Sequence, residues 1–134
     1  MSVKQQVETF LTSPLIGVVG ASNNRDKFGN KVLRCYLEND RRVVPVHPQQ
    51  QEVEGLACVA SVAELPDEVD SISVITPPQI TEKVVQMAAA KGIRNIWMQP
   101  GAQSADAIRF CQEQDINLIA DGTCVLVELG FSEH

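Results

Sequence analysis

Gly20, Ala21 and Ser22 end an apolar run and precede an amphipathic stretch in IGVVGASNNRDKFGN. That order suits a strand, a tight turn and a helix start, and its chemistry is the holding of an anion. Small residues let main-chain N–H groups approach closely, and a helix start adds free N–H groups and a positive dipole end. Ser22 adds a hydroxyl, and Asn23 and Gly29 belong to the same loop and helix start. Lys27 either reaches a phosphate or is solvated. The ATP-type loop G-x-x-x-x-G-K-[ST] is absent. The dinucleotide fingerprint G-x-G-x-x-G fails as well. Counted from Gly20 it requires glycine where Ser22 and Arg25 stand, and counted from Gly17, where Val19 and Ser22 stand. The Asp or Glu that would bind ribose hydroxyls is also missing, because the second apolar run closes on His47–Pro48.

Other reactive groups are scattered. His47 has no Ser or Cys partner in sequence and His134 is terminal, so a ligand-edge or solvent-facing imidazole is expected at His47 rather than a general base. No catalytic residue is assigned. Cys35, Cys58, Cys111 and Cys124 are separated by 23, 53 and 13 residues. That is neither C-x-x-C nor a zinc-ribbon spacing, and reduced thiols in the cytoplasm are expected. Asp67, Glu68 and Asp70 read as a solvated loop, and no His/Asp/Glu set has metal-ligand spacing. Trp97 lies in an apolar run, where core packing is expected and stacking on a ligand is the alternative.

The elements that must position these residues alternate. Apolar runs at Leu15 to Gly20, RRVVPVHP, Ser71 to Thr76, IRNIWM and INLIA read as five strands. Helices are expected at the N-terminus (Val3, Val7, Phe10, Leu11 on one side) and after the first strand (Val32, Leu33, Tyr36, Leu37). A third runs from the prolines Pro77 and Pro78 to Gly92, with Ile80, Val84, Val85, Met87 and Ala88 buried. A fourth starts at the N-cap Ser104. SVAELP reads as a short helix, CVLVEL as a last helical turn, and PQQQEVEG as an irregular loop. Strands apolar on both faces, with helices between, imply an α/β fold: a Rossmann-like, doubly wound, five-stranded parallel sheet in three α/β/α layers. The expected strand order is 3-2-1-4-5, in one domain over residues 1–134 with residues 1–13 as a helix packed on it. Ligands of such sheets sit at the carboxyl ends of the strands. Those ends read GASNN, HPQQ, TPP, QPG and DGTC, all small, polar or proline-rich.

The bulk numbers narrow the partners. The chain has 134 residues, a formal net charge of −6 and a pI of about 4.8, with no Lys/Arg cluster, which excludes a general nucleic-acid binder. No apolar run is long enough to span a membrane, and the first residues lack a signal-peptide core. The size and the N-terminal helix are compatible with a homodimer or an unidentified protein partner.

The stretches IGVVGASNNRDKFGNKVLRCYLEND, VVPVHPQQQEVEGLACVASVAELPDEVDSISVITPP and AAAKGIRNIWMQPGAQSADAIRFCQEQDINLIAD together resemble the small single-domain CoA-binding proteins. Their fold is like the N-terminal domain of the succinyl-CoA synthetase alpha subunit. The resemblance implies coenzyme A or acyl-CoA as ligand. The pyrophosphate would rest on Gly20, Ala21 and Ser22, the adenosine near His47, Pro48, Thr76 and Pro77, and the pantetheine arm toward Gln99. Prolines, Pro78 included, would wall the adenine, and Thr76 and Gln99 offer hydrogen bonds. The chain has His47 where the family often has Asn, and Gln49 where a basic residue often follows. Arg25, Lys27 or Arg34 are the substitutes available for the 3′-phosphate. A thiol at Cys124 would meet the coenzyme thiol in a mixed disulfide or else be buried and inert. The phosphorylated histidine of the synthetase belongs to a later domain, so the resemblance implies binding without ligase chemistry. The alternatives are a nucleotide-dependent, NADP-type oxidoreductase, an acyl-CoA-handling enzyme, and an interaction module with a vestigial site.

Overall fold

The computed structural model describes residues 1–132, and His134 lies outside them. The first helix, α1 (Val3–Leu11), starts at Ser2, whose hydroxyl accepts from the Gln5 amide at 3.2 Å. The Gln5 side chain returns the bond to the Ser2 amide at 2.9 Å, a complete capping box. Then come β1 (Ile16–Val19), α2 (Phe28–Glu38) and β2 (Val43–Val46). A short antiparallel hairpin follows, β3 (Glu52–Val53) and β4 (Leu56–Ala57), and a 3-10 turn at Val62–Glu64. The rest is β5 (Ser71–Val74), α3 (Pro78–Lys91), β6 (Asn95–Met98), α4 (Ala105–Glu113), β7 (Asn117–Ile119) and a π-helical turn at Leu126–Gly130. Pro78 opens α3 and Gly92, at φ 86°, closes it. The hydroxyl of Ser104 caps α4 through the Ala107 amide at 3.0 Å.

Five strands form one parallel sheet in the order β2-β1-β5-β6-β7. Every residue of β1, β5 and β6 is buried, as strands covered on both faces must be. One core layer holds Val7 and Phe10 of α1 with Val32, Leu33 and Tyr36 of α2, and the other holds Val84, Val85 and Ala88 of α3 with Ala107 and Cys111 of α4. The fold is therefore α/β and Rossmann-like, with helices on both faces. Trp97 is fully buried, edge-on to Phe10 with 5.4 Å between ring centres, and donates its indole N–H to Thr123 O at 2.9 Å. Ile80 and Met87 were expected on the buried face of α3 and are exposed instead, as are Val3 and Leu37 on their helices.

The strand order departs from the expected 3-2-1-4-5. Counting the five sheet strands in chain order, it is 2-1-3-4-5, with Ile16 of β1 opposite Val43 on one side and Ser71 on the other. The cause is the segment read as an irregular loop. After β2 the chain folds back along the outer edge of that strand: the Val59 amide bonds Pro45 O at 3.1 Å and the His47 amide bonds Val59 O at 3.0 Å. With that edge occupied, the next strand goes to the far side of β1. The topological switch then lies between β1 and β5, and their carboxyl ends open a crevice there.

Candidate functional site

The crevice is a cleft of about 410 Å³ lined by Gly20, Ala21, Ser22, Lys27, Phe28, Gly29, His47, Pro48, Ile75, Thr76 and Pro77. It joins the ends of β1, β2 and β5 to the starts of α2 and α3. A smaller apolar groove of about 180 Å³ adjoins it through Gly20, Pro48 and Thr76, walled by Val62, Ile80, Val84 and Met87. The exposure of Ile80 and Met87 is that of a groove rim.

Two glycines shape the loop. Gly20 has φ 97°, which few side-chain-bearing residues adopt, and a β-carbon on it would meet the Ile75 backbone at 3.2 Å. A β-carbon on Gly29 would lie 2.0 Å from Gly20 O. Only glycine lets the first turn of α2 press onto the end of β1.

The Gly20 N–H is taken by Val46 O at 3.2 Å, which extends the sheet by one residue. The Asn24 amide bonds Ser22 Oγ at 3.1 Å and the Asp26 amide bonds Asn24 Oδ1 at 3.0 Å. Among the described residues, no protein group accepts from the amides of Ala21, Ser22 and Asn23. The first amides of α2, on Phe28 and Gly29, are those a helix leaves without an intrahelical acceptor. The start of α2 has no side-chain cap and no acidic residue in its first turn, unlike α4, which has both Ser104 and Asp106. The cleft therefore faces a cluster of main-chain donors and a positive dipole end, with Lys27 beside them.

The loop is braced from behind. Asn23 Nδ2 donates to Gln50 Oε1 at 2.6 Å and to Glu52 O at 2.7 Å, tying it to the chain after β2. Fully buried Asn30 donates to Ser22 O at 2.7 Å and to Glu54 Oε2 at 3.1 Å. Its Oδ1 accepts from Arg34 Nε at 2.6 Å, and Arg34 also donates to Arg25 O at 2.9 Å. Arg25 stands 3.8 Å from Glu54. None of Asn30, Arg34 and Glu54 was read as a bracing residue in the sequence, although Asn30 and Arg34 carry the i, i+4 spacing of one helix face.

His47 is half-buried on the rim. Its Nδ1 accepts from the amides of Gln49 (3.0 Å) and Gln50 (3.2 Å), so the neutral ring carries its proton on Nε2. The Thr76 hydroxyl lies 2.8 Å from that of Thr81 on α3. Among the described residues, no Ser or Cys is hydrogen-bonded to the ring as a nucleophile would be.

Three residues read as site candidates do not line the cleft. Asn23 spends its side chain on the brace, and Pro78 is the first residue of α3. Gln99 is fully buried, donating to Ser73 Oγ at 3.0 Å and accepting from the Val125 amide at 3.0 Å. Phe28 and Ile75 line the cleft and were not singled out in the sequence; loop position alone carries no sign of an inward side chain. Asp67 pairs with Lys91 at 3.3 Å. Burial pushes the Cys111 thiol up to about 11, and burial, then Glu38, then Cys124 push Cys35 to about 11. Half-buried Cys124 lies outside the cleft lining. No helix among the described residues is long and apolar enough to cross a membrane.

A family profile described as CoA binding domain matches residues 15–130. The alpha subunit of an ADP-forming acetate–CoA ligase from Pyrococcus furiosus is 32% identical over 82 residues, which cover 60% of this chain and 18% of that subunit. A related ligase from Methanocaldococcus jannaschii is 24% identical over 79 residues, 59% of this chain and 11% of the ligase. The chain thus spans under a fifth of these curated relatives. A solved structure of a conserved hypothetical protein, also from P. furiosus, superposes with a TM-score of 0.81 at 40% identity, covering 84% of this chain and 97% of that one.

Proposed function

This chain belongs to the CoA-binding-domain family, and from that premise we propose that it binds coenzyme A or an acyl-CoA in the cleft at the β1/β5 switch, without catalysis of its own. The observation that carries the proposal is the pair of cleft-lining residues Ala21 and Ser22, whose amides no described protein group accepts from, beside the uncapped start of α2. The diphosphate lies on those amides and the first amides of α2, with Lys27 offsetting part of its charge. Gly20 contributes its conformation and small size, its own N–H being bonded to Val46. The adenosine lies toward His47, Pro48, Thr76 and Pro77, with the apolar groove beside it. On this proposal the protein acts in the cytoplasm as a one-domain carrier or sensor of the coenzyme, alone or with a protein partner.

The cleft holds charge and shape but no nucleophile–base pair, and this supports binding rather than turnover. A thermal-shift panel of CoA, acetyl-CoA, NAD, NADP, FAD and ATP tests the proposal. A ligand at 100 times its dissociation constant stabilises by about 2.7 kcal/mol. CoA or acetyl-CoA is expected to stabilise most. Preferential stabilisation by NADP would point to the oxidoreductase, and a flat panel to an interaction module.

A further inference from the structure

We infer that the cleft reads the diphosphate and adenosine of its ligand but not a phosphate on the ribose 3′ position, so that coenzyme A and 3′-dephospho-coenzyme A bind alike. This rests on the coenzyme A reading above.

The ground is the distribution of charge around the adenosine end. From Val43 to Glu82 the chain contains no lysine and no arginine. That span supplies β2, the loop after it, the β3–β4 hairpin and the end of β5, the whole wall against which the ribose lies. It brings carboxylates instead: Glu54 is held at the phosphate loop by Asn30, and Glu52 is joined to it through its main chain by Asn23.

The opposite wall has cations, each already engaged. Arg25 faces Glu54 at 3.8 Å. Arg34 is buried and committed to Asn30 and the Arg25 carbonyl. Lys27 alone among the described lysines and arginines lines the cleft. It stands immediately before α2, beside the amides that take the diphosphate, and that group claims it first.

His47 does not fill the gap. Two main-chain amides on Nδ1 leave the neutral ring one N–H, on Nε2. The main-chain amides of Gln49 and Gln50 are spent on Nδ1, so this rim offers a 3′-phosphate a single ring N–H. A phosphate is recognised by several converging charge-assisted bonds, from grouped main-chain amides or from Arg or Lys, and one N–H is too few. Here a 3′-phosphate stays in water, near carboxylates, and adds nothing to affinity.

Isothermal titration of the full chain with CoA and with 3′-dephospho-CoA, at physiological salt, tests this. Dissociation constants within about threefold of each other are expected. CoA binding tighter by about tenfold or more would overturn the inference while leaving the coenzyme A site in place. If neither compound binds, the site reading and the inference fall together. The Gln49→Lys variant adds a cation at the end of β2 and is expected to favour CoA over its dephospho form by about fivefold or more. An unchanged ratio in that variant would show that the ribose does not lie there, and the inference would fail on its geometry.

Discussion

Gly29 sits so close under Gly20 that a β-carbon on it would lie 2.0 Å from the Gly20 carbonyl oxygen. The contact is backbone against backbone, so no side chain can swing away to relieve it. Gly29→Ala must separate α2 from the end of β1. Overpacking of this kind destabilises by about 1–3 kcal/mol, and it displaces the loop amides from the first amides of α2. Lower thermal stability together with loss of CoA stabilisation is expected in thermal-shift measurements. A variant that melts and binds like the parent would show that the loop does not depend on that contact.

Ser22→Asp separates binding from folding. The Ser22 hydroxyl accepts from the Asn24 amide, and an aspartate oxygen accepts equally well, so the turn is retained. The new charge opposes the diphosphate. Two like charges about 4 Å apart near a protein surface repel by up to ~4 kcal/mol. CoA affinity is expected to fall by at least about a hundredfold, with the melting temperature of the free protein little changed. Tight CoA binding by this variant in calorimetry would remove the loop from the site.

Gln99→Leu should do the reverse. The Gln99 amide joins Ser73 to the Val125 main chain in the buried layer under α2. Its loss leaves a buried amide without an acceptor, at about 1–3 kcal/mol. Chemical denaturation should show that loss, while the CoA dissociation constant stays within about twofold. Weakened CoA binding without loss of stability would instead put the pantetheine arm against Gln99.

The buried thiols give a pH signature. Cys35 and Cys111 are raised from the ordinary 9.0 to about 11 by burial. A raised acid is more protonated in the folded chain than in the unfolded one. Its contribution to stability is therefore complete below pH 9 and declines as pH climbs toward 11. Denaturant midpoints should fall over that window, and less steeply in Cys111→Ala. A disulfide reagent at pH 8 should label at most Cys58 and Cys124 in the folded protein and all four thiols once it is unfolded.

Much of this was legible in the residues. Runs such as ISVI and NIWM carry apolar residues on both faces, because both faces of those strands are covered. The turn at Gly20–Ser22 showed itself through small residues before a helical pattern. The strand order was not legible, because it turns on the chain returning through a short hairpin to pair at Val59 with β2, a contact too brief to have a period. Its one local sign was Glu54–Gly55, a pair with φ 50° and 79°, as a tight hairpin turn requires. The Asn23 and Asn30 braces were also out of reach. Asparagine in a loop or on a helix looks the same in sequence whether it touches a ligand or holds the loop that does.

The margins of the sheet have a consequence beyond the cleft. At β7, Gln6 of α1 donates to Leu118 O at 2.8 Å, and Asn117 Nδ2 donates to Gln6 O at 3.1 Å. At β2, the returning chain bridges Val46 to Val59. Each terminal strand is thus sealed by the protein's own backbone or amide groups, and the sheet offers little template for a foreign strand. Should two copies associate, they would meet through helices or loops, and the aggregation hazard of a naked ribbon is suppressed by the fold itself.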